Sequence, residues 1–251
     1  KYQSTLNQNI SLNDSMSMSS SNELILTNSM SKLDLLLSMA KDGNADAQYQ
    51  YACMLRDGEG ADEDPVTAAR YFKLSASQSY EKAMIEYAVC VKEGYGVEKD
   101  EEDAFMRLYN VAVQCNNMDA QYLLGRWYER SNPHKYALAY KYYKMASDNG
   151  HSDAPAAIGS LLLKKKLGST ASMREIIDLY QKAANASSNE GRYYLATLYH
   201  YGYPPYLKKD LRQASKLYML SSQEESEVQE QAAFSLTILH QETGNFKKAF
   251  E

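Results

Sequence analysis

Four histidines, three cysteines and two acidic runs are where reaction or metal chemistry would have to originate in this 251-residue chain. A zinc or proton-relay site needs its ligands brought together, most simply by His-Glu-x-x-His or Cys-x-x-Cys spacing. His134, His151, His200 and His240 stand in neither pattern. His134 falls in a loop and His151 follows a helix-ending glycine, so both are expected at the surface. His240 is expected to be packed. No Ser, Cys or Thr has the surroundings of an activated nucleophile. The expectation is therefore of no catalytic residue, no cofactor-binding residue and no metal ligand. Cys53, Cys90 and Cys115 are odd in number and suit free, reduced thiols better than a disulfide framework.

The acidic runs Asp62-Glu63-Asp64-Pro65 and Lys99-Asp100-Glu101-Glu102-Asp103 could hold a divalent cation, and Gly58-x-Gly60 and Gly94-x-Gly96 could cradle a phosphate. Their shared setting argues otherwise. Each Gly-x-Gly precedes an acidic residue, and each such residue lies four before an alanine. No Lys-Ser/Thr and no glycine-rich continuation follows, as a phosphate loop would require. The glycines read as helix C-terminal turns, where the left-handed conformation costs glycine least. The acids read as helix N-caps.

The pattern recurs along the chain. Small residues Ala47, Ala83, Ala120, Ala154, Gly191 and Ala232 are separated by 36, 37, 34, 37 and 41 residues. A period in this range is the signature of stacked helix pairs. Counting from each small residue, offsets zero, four and eight form the buried face of a first helix. A small residue at offset five, such as Ala52, Ala88 or Gly125, lets another helix approach. The second helix of each unit is announced by Asp64, Asp100, Ser172, Asp210 and Asn245, four residues before Ala68, Ala104, Ile176, Ala214 and Ala249. Ser172 with Glu175 makes a capping box. The third unit departs, with Lys135 in the cap slot before Ala139.

Residues 1–21 are rich in Ser, Asn, Gln and Met without apolar period, and read as a disordered leader. An N-terminal capping helix is expected over 22–43 and the repeat array over 44–251, its last unit truncated. The net charge of -5 argues against nucleic acid as a partner. No apolar run reaches the roughly 18 residues of a membrane span, which argues against direct membrane insertion. Lys164-Lys165-Lys166 reads as a solvated helix end.

The stretch from Ala47 through Ala76, "AQYQYACMLRDGEGADEDPVTAARYFKLSA", resembles the Sel1-like repeat. So do "EYAVCVKEGYGVEKDEEDAF", "AQYLLGRWYE" with "ALAYKYYKMASDNG", "IIDLYQKAANAS" and "YYLATLYHYGYPPYLKKDLRQASKLYMLSS". The resemblance covers residues 44–251. It implies an all-α fold, a right-handed superhelix of about five helix pairs, and a role as adaptor or scaffold. A cysteine-rich branch of that family pairs cysteines within each repeat, and the positions of Cys53 and Cys90 do not fit it.

In such an array the first helices line the concave wall. Offsets three, six and ten bring Gln50, Cys53 and Asp57; Glu86, Val89 and Glu93; Leu123, Arg126 and Arg130; Ala157, Ser160 and Lys164; Tyr194, Thr197 and Tyr201 to that wall. It would run acidic, basic, then aromatic, a graded groove for an extended peptide or helix. Ordinary solvated charges remain the other reading. Trp127, at offset seven, is expected between helices. The function expected is a non-enzymatic, cytoplasmic adaptor binding proteins or peptides through Gln50, Asp57, Glu86, Glu93, Leu123, Arg126, Arg130, Tyr194 and Tyr201. Two alternatives stand beside it. One is an endoplasmic-reticulum lumenal adaptor, permitted by sequons at Asn9, Asn13 and Asn185. The other is a repeat-protein hydrolase. Oligomeric state is not legible.

Overall fold

A computed structural model of the chain describes residues 31–168 and 171–244. The leader over 1–21, the start of the expected 22–43 helix, the Asn9 and Asn13 sequons, and Asn245 with Ala249 lie outside the described residues.

Among the described residues the structure is built from twelve helices. They are α1 (Lys32–Lys41), α2 (Ala45–Asp57), α3 (Pro65–Ser77), α4 (Glu81–Glu93), α5 (Glu101–Gln114), α6 (Met118–Arg130), α7 (Tyr136–Asp148), α8 (Ala154–Leu163), α9 (Met173–Asn185), α10 (Asn189–Tyr201), α11 (Leu211–Gln223) and α12 (Gln229–Glu242). This is an all-α repeat fold: α2/α3, α4/α5, α6/α7, α8/α9 and α10/α11 are the five pairs that the period predicts. The chain forms two compact units, one ending at Arg107 and one beginning at Leu108. In the first, α1 to α4 pack consecutively; in the second, α6 to α12 do. The first helices α8 and α10, and α10 and α12, also touch.

The helix ends follow the residues assigned to them. Asp64 accepts from the Thr67 amide at 3.0 Å, Asp100 from Glu102 and Asp103 at 3.0 and 2.9 Å, Ser172 from Glu175 at 3.2 Å, and Asp210 from Arg212 and Gln213 at 3.0 Å each. These bonds satisfy amides that the first turn leaves without intrahelical partners. Lys135, in the deviant slot, makes no side-chain cap bond to α7. First helices carry caps as well: Asn44, Asn117 and Ser188 accept from Ala47, Ala120 and Gly191. Gly58 and Gly94 end α2 and α4 in the left-handed conformation, with φ of 67° and 75°.

Offsets zero, four and five are buried in repeats one to five, through Ala47, Tyr51 and Ala52 to Gly191, Leu195 and Ala196. In repeats three and four the small residue at offset five meets an aromatic ring. A Cβ on Gly125 would run into the Tyr143 ring of α7, and one on Gly159 would lie 2.8 Å from Tyr180 of α9. Tyr143 and Tyr180 are among the largest fully buried side chains. They join α6 to α10 in one apolar cluster with Leu161 and Leu195. A buried serine closes two of the pairs. Ser75 Oγ donates to the Ala45 carbonyl at 2.7 Å, and Ser221 Oγ to the Asn189 carbonyl at 2.8 Å.

Two histidine expectations are corrected. His240 is only half-buried; Leu239, one residue earlier, takes the core position in α12. His151 is not a surface residue: its ring stacks on Tyr122 with centroids 4.2 Å apart, and burial lowers its pKa. The histidine that is fully buried is His200, whose Nε2 lies 3.0 Å from Glu242 Oε2. Trp127 is half-buried within α6. The three cysteines are unpaired, with Cys90 buried, Cys53 half-buried and Cys115 exposed.

Candidate functional site

In the second unit, α6, α8 and α10 begin successive repeats, so equivalent offsets on them recur at similar positions. Arg126 and Ser160 share offset six, Arg130 and Lys164 share offset ten, and Ala157 and Tyr194 share offset three. All six line one open pocket of about 460 Å³. The pocket also takes Tyr122 and Glu129 from α6, Tyr136 and Tyr143 from α7, and Glu190 from the first turn of α10. His134, Lys166 and Glu227 enter from connections between helices.

Charges of both signs meet there. Arg126 Nη2 contacts Glu227 Oε1 directly, and Arg130 Nη2 lies 3.6 Å from Glu227 Oε2. One carboxylate from the connection after α11 is thus shared by two arginines of α6. Glu129 accepts from the Tyr143 hydroxyl at 2.7 Å, which fixes the ring that fills the notch over Gly125. His134 Nδ1 is 2.8 Å from the Glu129 carbonyl oxygen, and its ring stacks on Tyr136. Lys166 Nζ lies 5.3 Å from the Tyr136 ring centroid, a cation–π distance. Tyr194 stacks on the buried Tyr180. Glu190 is half-buried; burial, helped by Asp153, pushes its carboxyl up to about 7 against the pull of Arg126.

Of the residues assigned to the wall, Arg126, Arg130 and Tyr194 line this pocket, as do Ala157, Ser160 and Lys164. Leu123 and Tyr201 lie on the same helices but do not line it; Tyr201 is exposed and stacks on His200. Of the nine expected to bind a partner, the remaining four, Gln50, Asp57, Glu86 and Glu93, belong to the first unit. There Arg56 bonds both Asp57 and Glu86, at 2.8 Å each. Glu93 pairs with Lys92, and Gln50 donates to Asp46 at 2.6 Å. The acidic stretch expected there therefore carries its own arginine, which counting offsets three, six and ten passed over. The same counting missed Glu190, Glu227 and Tyr122. Glu190 has a sequence signal, an acid in the first turn after a Ser cap, but this also describes an ordinary dipole partner. Glu227 has none, because its connection lies outside the repeat pattern. Among the described residues no group of three or more His, Cys, Asp or Glu could hold a metal ion, and no helix is long and apolar enough to cross a membrane.

The family model of the Sel1 repeat matches residues 45–80, 81–106, 119–151, 177–188 and 189–222, more than half of the chain. The chain belongs to the Sel1 repeat family. Its fold is similar to that of a Sel1 repeat protein from Oxalobacter formigenes, with a TM-score of 0.66 and 21% identity over 79% of each chain. It is similar also to two immunity proteins of Pseudomonas aeruginosa. Pa5087 gives a TM-score of 0.56 at 17% identity, covering 76% of this chain and 72% of that one. PA5088 gives 0.55 at 16% identity, covering 82% and 81%. Sel1 repeat proteins generally mediate protein–protein interaction.

Proposed function

We propose that this Sel1 repeat chain is a non-enzymatic adaptor that takes a peptide segment of a partner protein into the pocket formed by α6, α8 and α10. One observation carries the reading: equivalent offsets of three successive repeats converge on an open cavity of about 460 Å³ lined by guanidinium, ammonium, carboxylate and phenol groups. An extended peptide suits this lining, because tyrosines offer rigid contact area at low entropic cost while charges set register and orientation. Leu123 and Tyr201 flank it on α6 and α10. Gln50, Asp57, Glu86 and Glu93 form a second stretch of first-helix surface in the other unit, and they are assigned the same role there.

The test is affinity capture from the native cell with the full chain, compared with Tyr194→Ala and Arg130→Glu, each checked for an intact helical spectrum. The pocket variants should lose a shared set of partners that a Tyr206→Ala control retains. Retention of that set by both pocket variants would move the binding surface elsewhere. A glycan at Asn185 on native material would place the chain in a secretory compartment rather than the cytoplasm.

A further inference from the structure

Glu227 occupies an anion-binding position of the pocket made by two arginines. Each of its two oxygens faces a different arginine, Arg126 on one side and Arg130 on the other. The contact spans 101 residues of sequence and comes from a non-helical connection. Arg126 is held with only 24% of its side chain exposed, whereas Glu227 is 58% exposed and Arg130 68%. Arg126 is therefore the anchored half of the receptor, while Arg130 and the occupant are reachable by solvent. The connection has tethers besides Glu227. Glu224, three residues earlier, accepts from Asn189 Nδ2 at 3.1 Å and lies 3.6 Å from Arg192 Nη1. Gln229 Nε2 donates to the Ser222 carbonyl. Both ends of the connection are thus fastened by residues other than Glu227.

Building on the peptide-adaptor reading, we propose that Arg126 and Arg130 form a receptor for an acidic side chain of the partner peptide. Glu227 is the internal carboxylate that holds the receptor until the partner's carboxylate replaces it. The guanidinium fork matches a planar carboxylate and charge-assists its hydrogen bonds. Lys164 and Lys166 add cations to the same lining, against the carboxyls of Glu129, which accepts from Tyr143, and Glu190, whose acidity burial weakens. Replacement exchanges one ion pair for another. The partner's net gain then comes from the rest of the pocket, and the internal pair sets a threshold that a weakly bound acid does not cross.

The probes are two fluorescein-labelled peptide pools of equal length, randomised except at a central pair, Glu-Glu in one and Gln-Gln in the other. Polarisation is read with the full chain as wild type, Glu227→Gln, and the double variant Arg126→Gln with Arg130→Gln. Glu227→Gln should bind the acidic pool about fivefold tighter than wild type, the scale of an exposed ion pair removed from competition, with the Gln-Gln pool unchanged. The double variant should lose the preference for acid. Circular dichroism checks folding, and Glu227→Asp, too short to span both arginines, should shift binding in the same direction if Glu227→Gln misfolds. An acidic preference that survives in the double variant, or no tightening on removing Glu227, overturns the inference. Equal binding of both pools by wild type and double variant overturns it while leaving the adaptor reading in place. Binding of neither pool by wild type or Glu227→Gln overturns both for this pocket.

Discussion

Glu190 faces the pocket with Asp153, Glu129 and Glu227 as like-charged neighbours and Arg126 as its cation. Burial moves its carboxyl from the ordinary 4.5 to about 7. A raised acid binds its proton more tightly in the folded chain than in the unfolded one. Between those two values the folded state keeps a proton that the unfolded state releases, so stability falls as pH rises through the window. Above about 7 the full cost is present. Glu190→Gln should flatten this slope and stabilise the chain by about 1–3 kcal/mol above neutrality, read from urea melts at a series of pH values. Identical slopes in the two proteins would show that Glu190 is not the titrating group. The thiols give a second expectation at this scale. Cys115 is exposed, while burial pushes Cys90 up to about 11 and raises Cys53 as well. A thiol reagent at neutral pH should modify Cys115 rapidly and the other two only on unfolding. Fewer than three thiols in denaturant without reductant would reveal a disulfide.

The helix ends and helix contacts are where local sequence rules had most to say. Asp100 caps α5 through two amides, so Asp100→Ala should lower stability by about 1 kcal/mol in a chemical melt, without changing the helical spectrum of the folded state. An unchanged midpoint would remove the cap from the account. Gly125 allows a sharper test, because two rules give opposite signs. Alanine favours a helix interior over glycine by about 1 kcal/mol, yet here its Cβ would enter the Tyr143 ring. Close packing should prevail, and Gly125→Ala should destabilise by about 1–3 kcal/mol; a gain in stability would mean that Tyr143 can step aside. Caps and glycine turns were legible because each depends on neighbours within a few residues, and the small residue at offset five because it recurs with the period although its partner lies on another helix. The ion pairs between repeats were not. Arg56 reaches Glu86 across 30 residues and Arg126 reaches Glu227 across 101, and no short-range spacing encodes either contact. His240 shows the limit of offset counting in another way: Ala232 is buried at offset zero as expected, but in α12, as at Tyr128 and Tyr199, offset eight is only half-buried.

Across the molecule, stability is expected to be uneven, since each helix in a repeat array is held by its neighbours. Nearly all of α8 is buried, from Ala154 to Leu162, whereas α12 buries only Ala232 and Leu239. Amide hydrogen exchange should therefore proceed much faster in α12 than in α8, and equal protection would contradict this gradient. The repeat class was legible from the period alone; which offsets would enclose a cavity was not, because that depends on how three helices and two connections meet. The buried serines carry a different implication. Ser75 fastens α3 to the opening turn of α2, and Ser221 fastens α11 to that of α10, so each latch lies wholly inside one repeat. A gene segment duplicated or exchanged at repeat boundaries takes its own fastening with it. For these two repeats, a change in copy number would demand new chemistry only at the joint.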